Sequence, residues 1–517
     1  MKNAANREIP ASLPGYRDIV PYAGPFATPP PQGLRRAGAL MKASAPGGSG
    51  KVLKNIEEAI EASGLKDGMT ISFHHALRNG DRVMNMVVQA IAKKGIKNLT
   101  LAPSSFLNAN DELIPLFEQG VITAVQGSGA RGKLGQYLTT HKLAKPCVMR
   151  PHGGRARAIE AGELKIDVAF IAAPACDTYG NINGVQGPAA CGSLGYGMMD
   201  ARHADTVVAL TDNLVEYPLC PISIPQDQVD FVVPVEVVGD PRGIATGALR
   251  GSKNPRDLIM ARYAATLIER AGYYKDGFSM QLGAGAAPVS AGLYLREAML
   301  RDKITASFAM GGILGVFCDL QEEGLIRTLL DVQSFDQRTI ESLRDNPMHQ
   351  EVDASMYASI WNKACAVHQL DYNILGATEV DVNFNVNVLT DSNGIMMGAI
   401  GGHPDTAAGA KCSIICAPLL RGRLPMITDA VQTICTPGET IDAVVTERGI
   451  AINPRRRDLI DNLKGSGLPL MRIEELRDMA YELVGGKPEP LALTDDIVAV
   501  VEYRDGTVLD VIRTPAS

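Results

Sequence analysis

At 517 residues the chain exceeds what one ordinary hydrophobic core organises, so it divides into several domains. It is 46% hydrophobic and 21% charged, with 52 glycines and 31 prolines against 11 phenylalanines and one tryptophan; this is a soluble α/β balance, and it lacks the basic, aromatic surface of a nucleic-acid binder. The formal net charge of −7 excludes global attraction of polyanions, so any anionic substrate must be met by a local cluster of Arg, Lys or backbone N–H groups.

Residues 1–50 are rich in Pro, Gly, Ala and Ser, and read as an extended N-terminal arm, either a loose tail or a strap on a partner. They hold no apolar signal core, and no stretch of the chain approaches the roughly 18 apolar residues of a membrane span, so a cytoplasmic protein with no membrane partner is expected. Order begins with the amphipathic stretch Val52–Ala62. A short strand over Met69–Phe73 runs into the polar turn His74–Gly80, and Asp81 caps a helix with Val83, Met84, Val87, Val88 and Ile91 at helical spacing. Strand, turn and helix alternate again through Asn98–Ala102, Val121–Val125, Ile166–Ala173 and Thr206–Leu210, which predicts an open α/β fold with a mainly parallel sheet.

The second half repeats the theme. Phe278–Leu282 is a strand, Gly283–Pro288 a turn that opens a helix through about Leu300, and further strands fall at Thr305–Met310, Ile395–Ile400, Cys412–Ala417 and Ile441–Val445. A hairpin around Asp505-Gly506 closes the chain. The segment Leu116–Ile122 resembles Leu320–Ile326 at matched offsets, which points to duplication. Two tandem α/β domains are expected, over 51–245 and 246–517, divided near residues 238–255.

Four polar or glycine-rich strand ends carry the candidate chemistry, because ligands of open α/β sheets bind at the carboxyl ends of strands. They are Phe73–Asp81, with His74, His75, Arg78 and Asn79; His152-Gly153-Gly154-Arg155; Gly283–Pro288; and Gly401–Asp405, with His403 and Asp405. Each alone is ordinary turn geometry or a structural histidine; together, in two like domains, they suggest one composite site. Arg150, Arg155 and Arg157, and Arg421 with Arg423, form cationic groups beside these turns, whereas Arg455-Arg456-Arg457 reads as a solvated helix start. The GAGAAP turn lacks the third glycine of a dinucleotide fingerprint, and no Walker lysine follows it. The nine cysteines include no CxxC pair and no HExxH is present, so neither disulfide nor metal is expected; Cys412 and Cys416 read as buried small residues.

Long strings of the chain, among them SFHHALRNGD (72–81), PHGGRARAIEAGELKIDVAFIAAPACDTYGNINGVQG (151–187), GFSMQLGAGAA (277–287) and GGHPDTAAGAKCSIICAPLLRGRLP (401–425), closely resemble the alpha chain of citrate lyase. The match runs from about residue 50 onward. The resemblance implies two tandem domains of the coenzyme A transferase fold and the reaction acetyl-thioester + citrate → citryl-thioester + acetate. It implies no cofactor bound to this chain itself, the thioester being carried by the phosphopantetheine-like prosthetic group of a small acyl carrier (gamma) subunit, or by coenzyme A. A beta subunit would then cleave the citryl thioester to oxaloacetate, within a larger complex in which this chain is a homo-oligomer.

Many coenzyme A transferases carry a covalent glutamate on the strand after a GxGxxP turn. Here Gly283, Gly285 and Pro288 keep the turn, but the following strand offers Gly311 or Gly312 in that place, which favours direct attack by the citrate carboxylate. Backbone N–H groups at Gly283, Gly285, Gly401 and Gly402 are then candidate oxyanion donors, with Arg78, Arg155, His74 and His75 as counter-charges and Glu379 or Asp405 as substitute nucleophiles. The alternatives are a coenzyme A transferase or thioester hydrolase acting on another carboxylate, a citramalate lyase chain, or a non-catalytic binding subunit.

Overall fold

The computed structural model describes residues 1–4, 7–14, 19, 21, 50–245, 252–283 and 285–516. Most of the expected arm lies outside the described residues, as do residues 246–251 at the expected domain boundary and Ala284.

Two nine-stranded sheets organise the chain. The first starts at Thr70–Ser72; outward on one side lie Leu99–Leu101, Ile122–Gly127 and Cys147–Met149, and on the other Val168–Ala173, Thr206–Thr211 and Phe231–Pro234. The second starts at Ser279–Leu282, with Ala306–Ile313, Ile326–Ser334 and His349–Glu351 on one side and Tyr372–Gly376, Cys412–Cys416 and Ala443–Val445 on the other. The order of visits is the same in both, and every one of these neighbours is parallel. The similar segments Leu116–Ile122 and Leu320–Ile326 each end at the third strand so counted.

The duplication extends to small features. After the fifth strand of each half a three-stranded sheet follows, built on Ala175–Asp177 in one and Glu379–Asp381 in the other. Asp177 accepts from the backbone N–H of Tyr179 and Asn181 and from the Asn181 amide; Asp381 accepts from the N–H of Asn383 and Asn385 and from the Asn385 amide. These Asx turns are the same local solution found twice.

Strand interiors are aliphatic and fully buried: Ile71, Leu99, Val125 and Ile171 in the first sheet, Met280, Ala309, Leu329 and Ile374 in the second. Such residues suit strands covered on both faces by crossover helices. Among the described residues no helix is long and apolar enough to cross a membrane, and no group of His, Cys, Asp or Glu is placed to hold a metal ion. Cys412 and Cys416 are buried free thiols.

One expectation needs correction. Ile395–Ile400 is not a strand. Met396 N–H bonds across to Thr139 Oγ1 and Ile400 N–H to the Ser128 carbonyl, while Met397 and Gly398 N–H turn back on the Leu389 carbonyl, so the segment joins neither nine-stranded sheet. The closing hairpin, Leu493–Glu502 with Val508–Pro515, does not join the second sheet either. It pairs in parallel with Cys147–Met149 and extends the first. We therefore propose a division in which residues 493–515 belong with the N-terminal unit and not with 246–517.

Asp81 caps the helix Val83–Lys93 through Oδ2, which accepts from Met84 N–H at 3.2 Å. Burial pushes its carboxyl up to about 7 from an ordinary 3.8, against the helix N–H groups that favour the anion. The folded chain thus holds this proton where the unfolded chain has released it, and stability falls as pH rises from 3.8 to 7. In Asp81→Asn, which keeps the cap, the advantage in urea midpoint over the parent should widen across that interval and stay constant above it. A gap independent of pH would refute the assignment.

Candidate functional site

The strand ends of both sheets converge on one cavity of about 530 Å³. The first half contributes His75 and Arg78 from the turn after Thr70–Ser72, Arg131 after Ile122–Gly127, and His152 after Cys147–Met149. The second contributes Gly283 and Gly285, Gly312, and the run Gly401-Gly402-His403. Hydrogen bonds fasten the halves at this point: His152 N–H to the Gly401 carbonyl (2.8 Å), Gly153 N–H to Asp405 Oδ2 (2.9 Å), Gly401 N–H to Ser128 Oγ (2.9 Å) and Gln333 Nε2 to the His75 carbonyl (2.9 Å).

Of the residues singled out from sequence, His75, Arg78, His152, Gly283, Gly285, Pro288, Gly312, Gly401, Gly402, His403, Cys416 and Arg421 line this cavity. The others do not. His74 is buried behind it, its Nε2 3.1 Å from the Ala172 carbonyl. Asn79 faces a separate cavity beside Arg82 and Asp240. Gly153 and Gly154 are not a turn but the first turn of the helix His152–Glu160, and a Cβ at Gly153 would run into the Ala358 carbonyl. Asp405 holds Gly153 N–H and lies 3.6 Å from the Arg504 guanidinium. Arg155 is spent on a buried bidentate pair with Asp200 (2.6 and 3.0 Å), and Arg150 and Arg157 pair with Glu502 and Glu163.

Burial disfavours positive charge on the histidines. Burial drives His74 and His403 down to about 4 and His152 to about 3, and His75 falls well below its ordinary value, so all four are neutral near pH 7. His75 Nδ1 meets Ser104 Oγ at 2.6 Å, and the His75 and His152 rings pack on Tyr196 at 4.9 and 4.4 Å.

Positive charge comes instead from Arg78 and from Arg131, which the four-turn reading passed over. Neither has a carboxylate within ion-pair distance among the described residues. Burial is the first cause that lowers both, and Arg78, pressed further by Arg131, falls to about 10. Arg78 sits at φ +52°, in the left-handed region that favours glycine, and its guanidinium lies 4.9 Å from the Phe335 ring centroid. Four buried side-chain atoms on lining residues have no partner among the described residues: Arg78 Nε, Ser105 Oγ, His152 Nδ1 and Gln281 Oε1. Each unmet group costs about 1–3 kcal/mol, so their convergence marks a polar ligand site. The signal for Arg131 was present in Gly127-Ser128-Gly129-Ala130-Arg131-Gly132, another glycine-rich strand end; Tyr357 and Gln281, also at the cavity, carry no such signal.

The four glycines differ in what they can donate. Gly283 N–H is bound to the Ile374 carbonyl (2.7 Å) and Gly401 N–H to Ser128. Among the described residues Gly285 and Gly402 N–H have no acceptor; each precedes a helix, Ala286–Asp302 and His403–Gly409. The place of a covalent glutamate is filled: Gly311 has φ +102°, a bulge separates it from Gly312, and a Cβ on Gly312 would overlap the Phe335 ring. Glu379 lies elsewhere and accepts from Asn387, Ser392 and Gln432. Asp257 is the only carboxylate among the described lining residues, and Ser252 Oγ donates to it at 2.6 Å.

The family model of the citrate lyase alpha subunit (CitF) matches residues 49–514. The citrate lyase alpha chain of Klebsiella pneumoniae is 52% identical over 463 residues, 90% of this chain and 91% of that one. That of Haemophilus influenzae is 51% identical over 462 residues, 89% and 92% of the two chains. A structure of a citrate lyase alpha subunit from Streptococcus mutans, in complex with citrate, superposes with a TM-score of 0.90 at 48% identity and covers 100% of both chains. The malonate decarboxylase alpha subunit of Acinetobacter baumannii is similar in fold alone, with a TM-score of 0.62 at 14% identity over 84% of this chain and 93% of that one.

Proposed function

The chain belongs to the citrate lyase alpha-subunit family, the acyl-transfer component of that enzyme, and from this premise we propose that its interdomain cavity holds citrate and an acetyl thioester together and exchanges their acyl groups without an acyl-enzyme. The observation that carries this reading is the pair Arg78 and Arg131, two half-buried cations facing one cavity with no carboxylate at ion-pair distance among the described residues. Citrate carboxylates supply what they lack. The thioester arrives on the phosphopantetheine-type arm of an acyl carrier subunit, or on coenzyme A, and enters along the second-half wall of Gly283, Gly285 and Gly376.

One citrate carboxylate oxygen attacks the thioester carbonyl. The oxyanion that forms is received by the free N–H groups of Gly285 and Gly402, the first backed by the positive end of a 17-residue helix. Its collapse expels the thiolate and leaves an acetyl–citryl anhydride in the cavity. The same thiolate then attacks the citryl carbonyl and expels acetate, giving the citryl thioester. Atoms and charge balance with no group on the protein acylated. His75 and His152, neutral in the folded chain, line the same cavity and can meet the trianion as hydrogen-bond donors.

The purified chain, given acetyl-CoA and a panel of citrate, citramalate, malonate and acetate, should exchange fastest with citrate and form no oxaloacetate until a beta subunit is added. Initial-rate lines should intersect, and intact mass after incubation with acetyl-CoA alone should be unchanged. Parallel lines with a stable mass adduct would replace this mechanism by a covalent one. A preference for citramalate would move the substrate assignment.

A further inference from the structure

The second-half mouth of the cavity carries an unpaired basic patch. The strand pair Leu420–Arg421 and Leu424–Pro425 turns over Gly422 (φ +63°) and presents Arg421 and Arg423 to solvent. Arg256, exposed at the start of the helix Pro255–Arg270, donates to the Leu420 carbonyl at 3.4 Å and so lies beside this hairpin, with exposed Lys253 three residues before it in the chain. Arg421 and Asp257, the neighbour of Arg256, line the cavity, which places the patch at its rim. Among the described residues none of Lys253, Arg256, Arg421 and Arg423 has a carboxylate within ion-pair distance. The nearby acids are otherwise engaged, Asp257 by Ser252 and Glu447 by Leu419 N–H. Two large apolar side chains, Ile259 and Leu424, stand exposed on the same two elements. Four such cations near one rim are unexpected on a chain of net charge −7.

We propose that this patch is the docking surface of an acidic carrier protein, whose phosphate-linked thioester arm passes Arg421 into the cavity while the carrier's acidic face rests on Lys253, Arg256 and Arg423. The inference rests on the reading of the cavity as a thioester–citrate exchange site. Charge complementarity of this kind acts on encounter and on KM more than on the chemical step, and it weakens with salt. Ile259 and Leu424 supply the apolar contact that a purely ionic encounter lacks.

The test uses the double variant Arg256→Glu/Arg423→Glu, both residues exposed and off the cavity wall, with three acetyl donors: an acetylated acyl carrier subunit, acetyl-CoA and S-acetyl-N-acetylcysteamine, which has no phosphate. The KM for the acetylated carrier should rise at least tenfold, and its dependence on ionic strength should flatten. The KM for S-acetyl-N-acetylcysteamine should stay within twofold of the parent, and acetyl-CoA should fall between. An unchanged carrier KM overturns the proposal, and so does an equal loss with all three donors. Failure of the parent chain to exchange S-acetyl-N-acetylcysteamine or acetyl-CoA with citrate overturns the exchange-site reading itself, and the docking proposal with it.

Discussion

Exchange by Arg131→Gln should fall by about 10–100-fold in kcat/KM for citrate, since a charge-assisted hydrogen bond contributes roughly 1.5–3 kcal/mol and each 1.4 kcal/mol is a factor of ten. Arg78→Gln should lose a similar factor. The loss should lie in the KM for citrate and leave the KM for acetyl-CoA within a few-fold. The same substitutions should raise the unfolding midpoint. Both cations are half-buried with no carboxylate partner among the described residues, and burial is the first cause that lowers each of them, so their neutralisation relieves a cost that the folded chain bears without substrate. A chain that becomes more stable and less active together is the signature of a charge held for a ligand. An unchanged citrate KM in both variants would remove the arginines from the site.

Gly402→Val should lower kcat by about 100-fold or more, the scale set by removal of an oxyanion donor. A Cβ at Gly402 would overlap the hydroxyl of Tyr357, a buried side chain that borders the same cavity. The backbone must then shift and carry the Gly402 N–H with it. The fold itself should survive, because Gly402 lies on a loop at the cavity wall and not in a strand of either sheet. Circular dichroism and a gel-filtration profile like the parent's, with exchange near background, is the expected result. A folded variant with normal turnover would show that Gly402 N–H takes no part in the transition state.

The alternation of strand and helix was plain in the sequence because each buried strand is a short aliphatic run closed by a polar or glycine-rich end. The duplication was visible too, in Leu116–Ile122 and Leu320–Ile326, since both fill the same step into a third strand. Long-range pairing was not visible. Ile395–Ile400 has the apolar pattern of a strand, but its backbone bonds are divided between Ser128 and Thr139 in the first half and Leu389 just before it, a division no local pattern announces. Arg155 looked like a substrate clamp until Asp200, 45 residues on, claimed its guanidinium. Paired histidines beside an arginine suggested charge, whereas burial makes them neutral; burial is a property of the packed molecule and not of the motif. Arg131 was overlooked for the opposite reason: a lone arginine after a modest glycine pattern gains its meaning only when Arg78 stands opposite it.

The destination of the closing hairpin bears on how the chain is made. Arg150 and Glu502, joined across the last parallel pairing of the first sheet, are 352 residues apart in sequence. A ribosome delivers the edge strand Cys147–Met149 long before its partner exists. Until Leu493–Glu502 emerges, that edge presents unpaired N–H and C=O groups to any passing strand. The helix that begins at His152, next along the chain, also waits for Arg504 to reach Asp405 behind it. A chain without the hairpin would therefore keep an unpaired edge on its first sheet and leave Asp405 without Arg504 beside it.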